Sequence, residues 1–423
     1  MPCQLPTECL DEIFDHLRYD DETLHSCLLV NRRWCEVSVR FLWEKIWNYD
    51  TLILCLPDRS KQILRENNIP IPTLTSKPPL FNYSSFVKSI SVDDLDRQIK
   101  RILTTHQPNI SNDVFDEKFI LIMCLIFTMF MGQIPLKEMN YCFPHQIKIH
   151  SSPEANDCLD NISDLTCNSN IPSDFFHKLS QSSHRIQKLN LEFRDNKVSS
   201  GLKELISVQK NLEFLNIFQT PKCDILNDLA PLMTNFSTTL ITLKISGLGK
   251  RSLSFLSNFT HLQELILIDY THTQDFKSLQ HIELPHLEYL KFVYKVPKLL
   301  ARFLEINGRD LEEFFVSDYS LNRVIAKSCP NLLALTTFVL EGDTKPLKEI
   351  FRNCQQLESI KVWCGGQYLK VKELLDVVIK FSPKRFCELR IGYHVNQELL
   401  PNELESFFKL VKSYPTKKIV FYY

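Results

Sequence analysis

Leu287-Glu288-Tyr289-Leu290-Lys291-Phe292 is a hexamer with apolar residues at its first, fourth and sixth places, and this pattern decides how most of the chain folds. Residues two apart share one face of a β-strand, so the fourth and sixth side chains point the same way. The pattern recurs every 21 to 30 residues, with starts at residues 136, 162, 186, 212, 240, 262, 311, 332, 357, 386 and, weakened, 416. Such a period predicts a repeat protein with one short strand in each unit.

Helical patterns fill the spaces between several of these strands. The clearest cover residues 200–209, 299–306, 321–327, 346–353, 371–381 and 403–414. A strand followed by a helix leaves one apolar side that only a neighbouring repeat can cover. We therefore expect an α/β fold over residues 136–423, a right-handed horseshoe with a parallel inner sheet and outer helices.

The first 46 residues carry a different, helical pattern. Their apolar stripes at helical spacing are Leu10/Ile13/Phe14/Leu17, Leu24/Cys27/Leu28 and Val30/Trp34/Val37/Phe41. Pro6 suits a first helical turn, and Asp20 or Asp21 can cap the second helix. A segment this short rarely forms a core without help, so its apolar faces require another protein surface.

Two sets of residues resemble known families. Leu5-Pro6-x-Glu8, Leu28-Leu29-Val30-Asn31-Arg32-Arg33-Trp34 and Leu42-Trp43 resemble the F-box, although Arg18-Tyr19-Asp20-Asp21-Glu22 lacks the usual proline. Cys329-Pro330-Asn331-Leu332 and Cys354-Gln355-Gln356-Leu357 resemble cysteine-containing leucine-rich repeats. Together they resemble F-box and leucine-rich-repeat proteins, including the expanded fungal families. The resemblance implies a Skp-type adaptor as partner and, through it, a cullin scaffold of a ubiquitin ligase.

The expected domains are an F-box at 1–46, a helical and proline-rich linker packed on the repeats at 47–118, and a leucine-rich-repeat solenoid at 119–423. Within the linker, residues 52–67 favour one helix and residues 94–104 another. The apolar run 119–131 has about 13 residues, fewer than the roughly 20 that a membrane span needs. We expect it to be a buried helix.

Composition excludes several classes of function. The chain of 423 residues has a formal net charge of −1 and therefore no general attraction to nucleic acid or anionic lipid. Its 14 cysteines include no pair separated by two residues, which argues against a zinc site, and no phosphate-binding glycine motif occurs. We expect no metal, no cofactor, no membrane contact and no catalytic residue, in a cytoplasmic or nuclear protein without a signal peptide.

The N-terminal helices have two alternative interpretations. They could be a plain helical cap, or a helix-turn-helix that reads DNA. Base readout requires a basic footprint, which Arg32, Arg33 and Arg40 alone do not provide.

Candidate binding residues follow from these patterns. From the F-box resemblance, the adaptor-binding residues are Leu5, Pro6, Ile13, Leu17, Leu24, Leu28, Val30, Trp34 and Trp43, some of which must instead be core. Strand alternation directs the fifth and seventh places of each hexamer toward the concave face, where a target protein would bind. The candidates there are Phe218, Lys244, Ile268, Lys291, Val293, Phe338, Lys361, Trp363 and Arg390. Alternatively, these side chains stack across strands or lie under Tyr422-Tyr423 or a loop.

The favoured function is substrate recognition in a Skp–cullin–F-box ubiquitin ligase. One rival is a leucine-rich-repeat scaffold that has an F-box but no role in degradation. A more remote rival is an enzyme on a repeat frame.

Overall fold

The computed structural model describes residues 5–71, 79–106, 111–131, 136–142, 159–220, 223–248, 252–268, 276–293, 300–393 and 418–422. Its α-helices are α1 (Thr7–His16), α2 (Asp21–Cys27), α3 (Arg32–Leu42), α4 (Tyr49–Leu54), α5 (Asp58–Glu66), α6 (Val92–His106), α7 (Asn112–Met131), α8 (Ser173–Ser182), α9 (Ser200–Val208), α10 (Leu226–Met233), α11 (Leu300–Asn307), α12 (Asn322–Ser328), α13 (Lys345–Asn353) and α14 (Val371–Phe381). Its strands are β1 (Ser89–Ser91), β2 (Glu138–Tyr141), β3 (Asp164–Asn168), β4 (Lys188–Phe193), β5 (Phe214–Gln219), β6 (Thr242–Ser246), β7 (Glu264–Ile268), β8 (Tyr289–Val293), β9 (Glu313–Val316), β10 (Ala334–Phe338), β11 (Ser359–Cys364), β12 (Glu388–Tyr393) and β13 (Lys418–Tyr422). The helix expected over 403–414 and residue Tyr423 lie outside the described ranges.

The chain forms two compact units. Unit 1 comprises Met1–Glu192 and Val198–Asn211, and unit 2 comprises Phe193–Lys197 and Leu212–Tyr423. In unit 1, strands β1 to β4 pair in parallel and in chain order. In unit 2, strands β5 to β13 do the same. Parallel strands joined by helices in strict chain order are the architecture of leucine-rich repeats.

Every hexamer identified in the sequence overlaps a strand, and in the eleven hexamers that start at 136 to 386 the fourth and sixth residues are buried. The hexamer at 287 is typical, because Leu290 and Phe292 are buried whereas Tyr289, Lys291 and Val293 are only half-buried. The strand prediction is thus confirmed for all twelve hexamers. One continuous horseshoe over 136–423 stays a prediction, as do the proposed domain limits; α7 extends across residue 118, where one of those limits was set.

The structure contains one strand that the search for hexamers missed. Strand β1 pairs with β2, placing Ser89 opposite Glu138. Its hexamer begins at Val87, and Val87, Ile90 and Val92 are all buried. The signal was therefore present, but it lies 49 residues before the hexamer at 136, outside the usual repeat length.

A polar side chain three residues before a hexamer ties neighbouring repeats together at several places. Cys354 Sγ donates to the carbonyl oxygen of Cys329 at 3.2 Å. Gln209 Nε2 donates to the carbonyl oxygen of Ser183 at 2.7 Å, and the Ser183 hydroxyl donates to that of Leu159. Because serine and glutamine replace cysteine in the same role, the cysteine signature marks only some of the equivalent positions.

Helices α1 to α3 form a small core at the start of unit 1. Asp20 accepts from the Thr23 amide and Asn31 from the Trp34 amide, so both helix starts are capped by side chains. The core consists of Leu10, Phe14, Leu24, Cys27, Val37, Val39, Leu42 and Trp43. Partly buried Phe81, Tyr83 and Phe86 pack against it from outside the three helices. The chain itself therefore supplies some of the surface that these apolar faces need.

Two further helical predictions have different outcomes. The single helix expected over 52–67 is wrong, because Pro57 separates α4 from α5 and precedes the first turn of the second helix. The apolar run 119–131 forms the greater part of α7, with Ile122, Met123 and Phe130 buried. Within the described residues, none of the helices has the length and apolarity to cross a membrane.

Candidate functional site

The three N-terminal helices leave large apolar side chains on their surface. Leu5 and Pro6 precede α1, Ile13 lies on its outer face, and Val30 ends the turn between α2 and α3; all four are exposed. Ile13 retains 39% of its accessible surface. Exposed apolar groups over a closed core are the feature expected of a docking surface.

Other residues of the proposed adaptor set lie deeper. Leu17, Leu28 and Trp34 are half-buried, and the Trp34 ring meets the Phe14 ring edge-on at 5.5 Å. Leu24 is fully buried and Trp43 nearly so, which places both in the internal core. Their inclusion among the adaptor-binding residues is therefore wrong, because packing inside the three helices leaves these two side chains almost no accessible surface.

Leu29 is absent from the proposed adaptor set although the structure favours its inclusion. It is 83% exposed and lies beside Val30 in the turn after α2. Leu28 and Leu29 are consecutive, so their side chains point in different directions, and only Leu28 packs against the core. The sequence signal was therefore the consecutive pair of leucines at a predicted helix end.

The exposed sheet face of unit 2 contains a row of basic and apolar side chains. The strand register aligns Lys244, Ile266, Lys291, Phe315, Thr336, Lys361, Arg390 and Val420 across β6 to β13. We refer to these residues as the middle row. The corresponding row of unit 1 is Ser91, Asn140, Thr166 and Asn190, which has no charge and no large apolar group. Of these two rows, the one in unit 2 therefore has the charged and large apolar side chains that could bind a partner.

Beside the middle row, two aromatic rings form a flat apolar step. Phe338 on β10 and Trp363 on β11 stack with centroids 5.8 Å apart and an interplanar angle of 6°. Tyr368 packs on Phe338 at 4.9 Å. Cross-strand stacking, one of the alternatives left open by the sequence, therefore occurs, and it leaves both stacked rings half-exposed.

Gly392 of β12 makes room for the Trp363 ring. A Cβ atom at residue 392 would lie 2.7 Å from Trp363 Cε3, closer than any normal contact. The indole Nε1 is buried and has no hydrogen-bond partner among the described residues. Ring stacking and other packing contacts, rather than a hydrogen bond of Nε1, therefore hold the ring among the described residues.

Positive charges gather next to the aromatic step. Lys361 Nζ lies 5.0 Å from the centroid of the Trp363 ring, and burial, then the charges of Arg390 and Lys291, lower the pKa of Lys361. Arg390 Nε and Nη2 both donate to one oxygen of Glu388, at 2.9 and 2.6 Å. Hydrogen bonding by Arg390 is the main reason that the pKa of Glu388 is lowered.

The remaining target candidates lie on other strands. Phe218 is the second-last residue of β5 and is exposed. Ile268 and Val293 are the last residues of β7 and β8, and the strand register places them opposite each other. Lys291 Nζ lies 4.7 Å from the Phe315 ring. The structure thus groups Phe338, Lys361, Trp363 and Arg390 on three adjacent strands, and the other candidates extend toward β5.

Comparison with known proteins bears on the N-terminal helices most directly. Residues 2–48 match the F-box-like family model. No curated protein matches the chain. Among solved structures, an internalin from Listeria monocytogenes is similar at 14% sequence identity and a TM-score of 0.35, covering 72% of this chain and 95% of that one. Residues 2–48 therefore form an F-box-like domain, and the parallel strands and helices that follow it have the architecture of leucine-rich repeats.

Proposed function

We propose that this protein is the substrate-recognition subunit of a Skp–cullin–F-box ubiquitin ligase. The F-box-like domain binds a Skp-type adaptor, the adaptor connects it to a cullin, and the exposed sheet face of unit 2 holds a target protein. The chain itself supplies no catalytic residue. It acts in the cytoplasm or nucleus by holding the target near the subunits that transfer ubiquitin, which raises the effective concentration of the reacting groups.

The observation that carries this proposal is the exposed apolar group on the F-box-like domain. Leu5, Ile13, Leu29 and Val30 lie on the surface although Leu10 and Phe14 of the same segment are fully buried. Exposing them costs solvation free energy, which docking on an apolar partner surface recovers. The strongest interface contacts are made by a few such central residues.

Adaptor binding can be tested with two matched isoleucines. Ile13 in α1 is 39% exposed and Ile120 in α7 is 40% exposed, so alanine removes similar surface at each position. Truncation of an interface anchor costs about 2 kcal/mol or more, a loss of affinity beyond tenfold. Binding to a purified Skp-type adaptor should therefore weaken with Ile13→Ala and stay unchanged with Ile120→Ala, and the triple variant Leu5→Ala/Pro6→Ala/Ile13→Ala should lose it almost entirely.

A second measurement separates a ligase subunit from a scaffold. The adaptor complex should recruit a cullin and support ubiquitin transfer to proteins captured by unit 2. Adaptor binding without cullin recruitment would favour the scaffold. Full-strength adaptor binding by the triple variant would contradict the proposed docking surface.

A further inference from the structure

We infer that strands β8 to β12 of unit 2 bind an acidic segment of the target, which sets carboxylates against Lys291 and Lys361 and a large apolar side chain against Phe338 and Trp363. This inference rests on the proposed function and specifies the class of target that the sheet face selects.

The apolar half of the site is the step made by Phe338 and Trp363. The two rings are nearly parallel, and the absence of a side chain at Gly392 lets the indole lie flat against the sheet. A ligand side chain placed on this step meets an aromatic surface that is already ordered. Rigid aromatic surfaces lose little conformational entropy on binding and are common anchors of protein interfaces.

The cationic half lies in the adjacent middle row. Lys361 is held over the Trp363 ring, so the charge and the apolar step are neighbours on one strand. Its pKa is lowered by burial and then by the positive charges of Arg390 and Lys291, so both cations disfavour the charged form of Lys361. An anionic ligand removes this repulsion and gains charge-assisted hydrogen bonds.

The arrangement suits several carboxylates better than one phosphate group. The guanidinium of Arg390, the group best shaped to hold a phosphate with two bonds, already donates twice to Glu388. Lys291 and Lys361 stand on β8 and β11, three strands apart, about 14 Å at the usual strand spacing. Two separated point charges match acidic residues distributed along a segment.

Acidic side chains lie on the side of the middle row that faces away from Phe338 and Trp363, and they disfavour negative charge on a ligand there. The register aligns Glu264, Tyr289 and Glu313 across β7, β8 and β9, and the two glutamates help burial to raise the pKa of Tyr289. A negatively charged segment is repelled there and is attracted to the lysines. The acidic flank therefore orients the ligand with its carboxylates over the middle row and its apolar side chain toward Trp363.

The test uses the full-length protein and a displayed library of random peptides of about 12 residues, long enough when extended to cross the strands involved. Wild-type protein should enrich peptides with clustered Asp or Glu beside Leu, Phe or Trp. Lys361→Glu should weaken the best peptide by about tenfold or more, because it places a like charge against the ligand. Lys327→Glu, the same charge change at an exposed position in helix α12, should leave affinity within about twofold.

Two peptide variants sharpen the result. Replacing its acidic residues with Gln and Asn should weaken binding as much as Lys361→Glu does, and added salt should weaken binding of the original acidic peptide more than binding of this neutral variant. Replacing its apolar residue with Ala should reduce binding by wild-type protein far more than binding by Trp363→Ala. A peptide that instead requires phosphoserine would overturn the choice of carboxylates.

Enrichment of basic or neutral peptides, no enrichment, or unchanged binding by Lys361→Glu would each overturn the inference. Adaptor binding measured on the same proteins keeps the two proposals apart. Ile13→Ala should lose the adaptor and keep the peptide, and Lys361→Glu should do the reverse. Peptide selection without any adaptor binding would refute the proposed function and leave this inference standing.

Discussion

Replacing Gly392 with alanine should change stability in a direction that depends on Trp363. The new Cβ would lie 2.7, 2.8 and 3.0 Å from three carbon atoms of the indole ring, whereas ordinary contacts begin near 3.4 Å. Gly392 is not among the glycines with positive φ, so its backbone accepts alanine without strain. The three nearest atoms all belong to the indole ring, which must therefore move.

The change in the free energy of unfolding combines a steric cost, present only with the ring, and an entropic gain from replacing glycine. Adding a methyl group to a packed site typically costs about 1–3 kcal/mol, and a displaced indole also loses its stacking on Phe338, worth about 0.5–1.5 kcal/mol. When Trp363→Ala has removed the ring, the overlap is gone. Alanine then restricts the unfolded chain more than glycine does and should stabilise the protein by about 0.4–1 kcal/mol.

The assay is urea unfolding of the wild type, both single variants and the double variant, followed by far-UV circular dichroism. This signal does not depend on the tryptophan being changed, and the comparison requires equal slopes of free energy against urea. The double-mutant cycle isolates the coupling between positions 363 and 392. An equal cost of Gly392→Ala in both backgrounds would refute the packing argument.

Three shorter predictions concern other parts of the molecule. Leu24→Ala should lower the free energy of unfolding by about 2–5 kcal/mol in urea, because this fully buried side chain leaves a cavity in the core of α1 to α3. Alkylation followed by mass spectrometry should modify exposed Cys387 well before Cys354, since burial raises the pKa of the Cys354 thiol to about 12. The pKa of Glu388 is lowered from 4.5 in the folded state, so its carboxylate stabilises the fold above that pH and loses the effect as pH falls through the lowered value. Glu388→Gln should therefore cost up to about 1 kcal/mol at neutral pH and less near about pH 3, as measured by urea unfolding at both values.

Strand positions were predictable because burial in a repeat alternates with a period of two. Leu290 and Phe292 face the core while Lys291 and Val293 face outward, and the period of two separates the two sets although Val293 is itself apolar. The same alternation placed Phe338, Lys361, Trp363 and Arg390 on the exposed face. Strand β1 was not predicted because helices α6 and α7 lie between it and β2. They make that repeat longer than the 21 to 30 residues of the others.

Contacts that depend on register or packing could not be read from the sequence. Gly392 matters because parallel pairing sets it opposite Trp363, and no local pattern specifies that register. In the F-box-like domain, Ile13 and Leu24 both belong to apolar stripes at helical spacing, yet one is exposed and the other buried. The stripe of α1 is wider than its buried part, and the packing of α1 against the other two helices leaves Ile13 outside while Leu10 and Phe14 are buried.

The arrangement within unit 1 also bears on how a receptor of this kind would act. The carbonyl oxygen of Glu44, just after α3, accepts hydrogen bonds from the amides of Lys88 and Ser89 at 2.8 and 2.9 Å, and Lys45 bridges Ser89 in parallel. The Glu44 carboxylate also pairs with Lys88 and with Arg18 of the turn that follows α1. The chain from α4 onward thus returns to the F-box-like domain before the first repeat strand begins. Backbone and side-chain bonds therefore both join the F-box-like domain to the first strands of unit 1. For the receptor proposed above, these bonds exclude one free hinge, between α3 and β1, and a free hinge spreads the positions of a bound target and lowers its effective concentration.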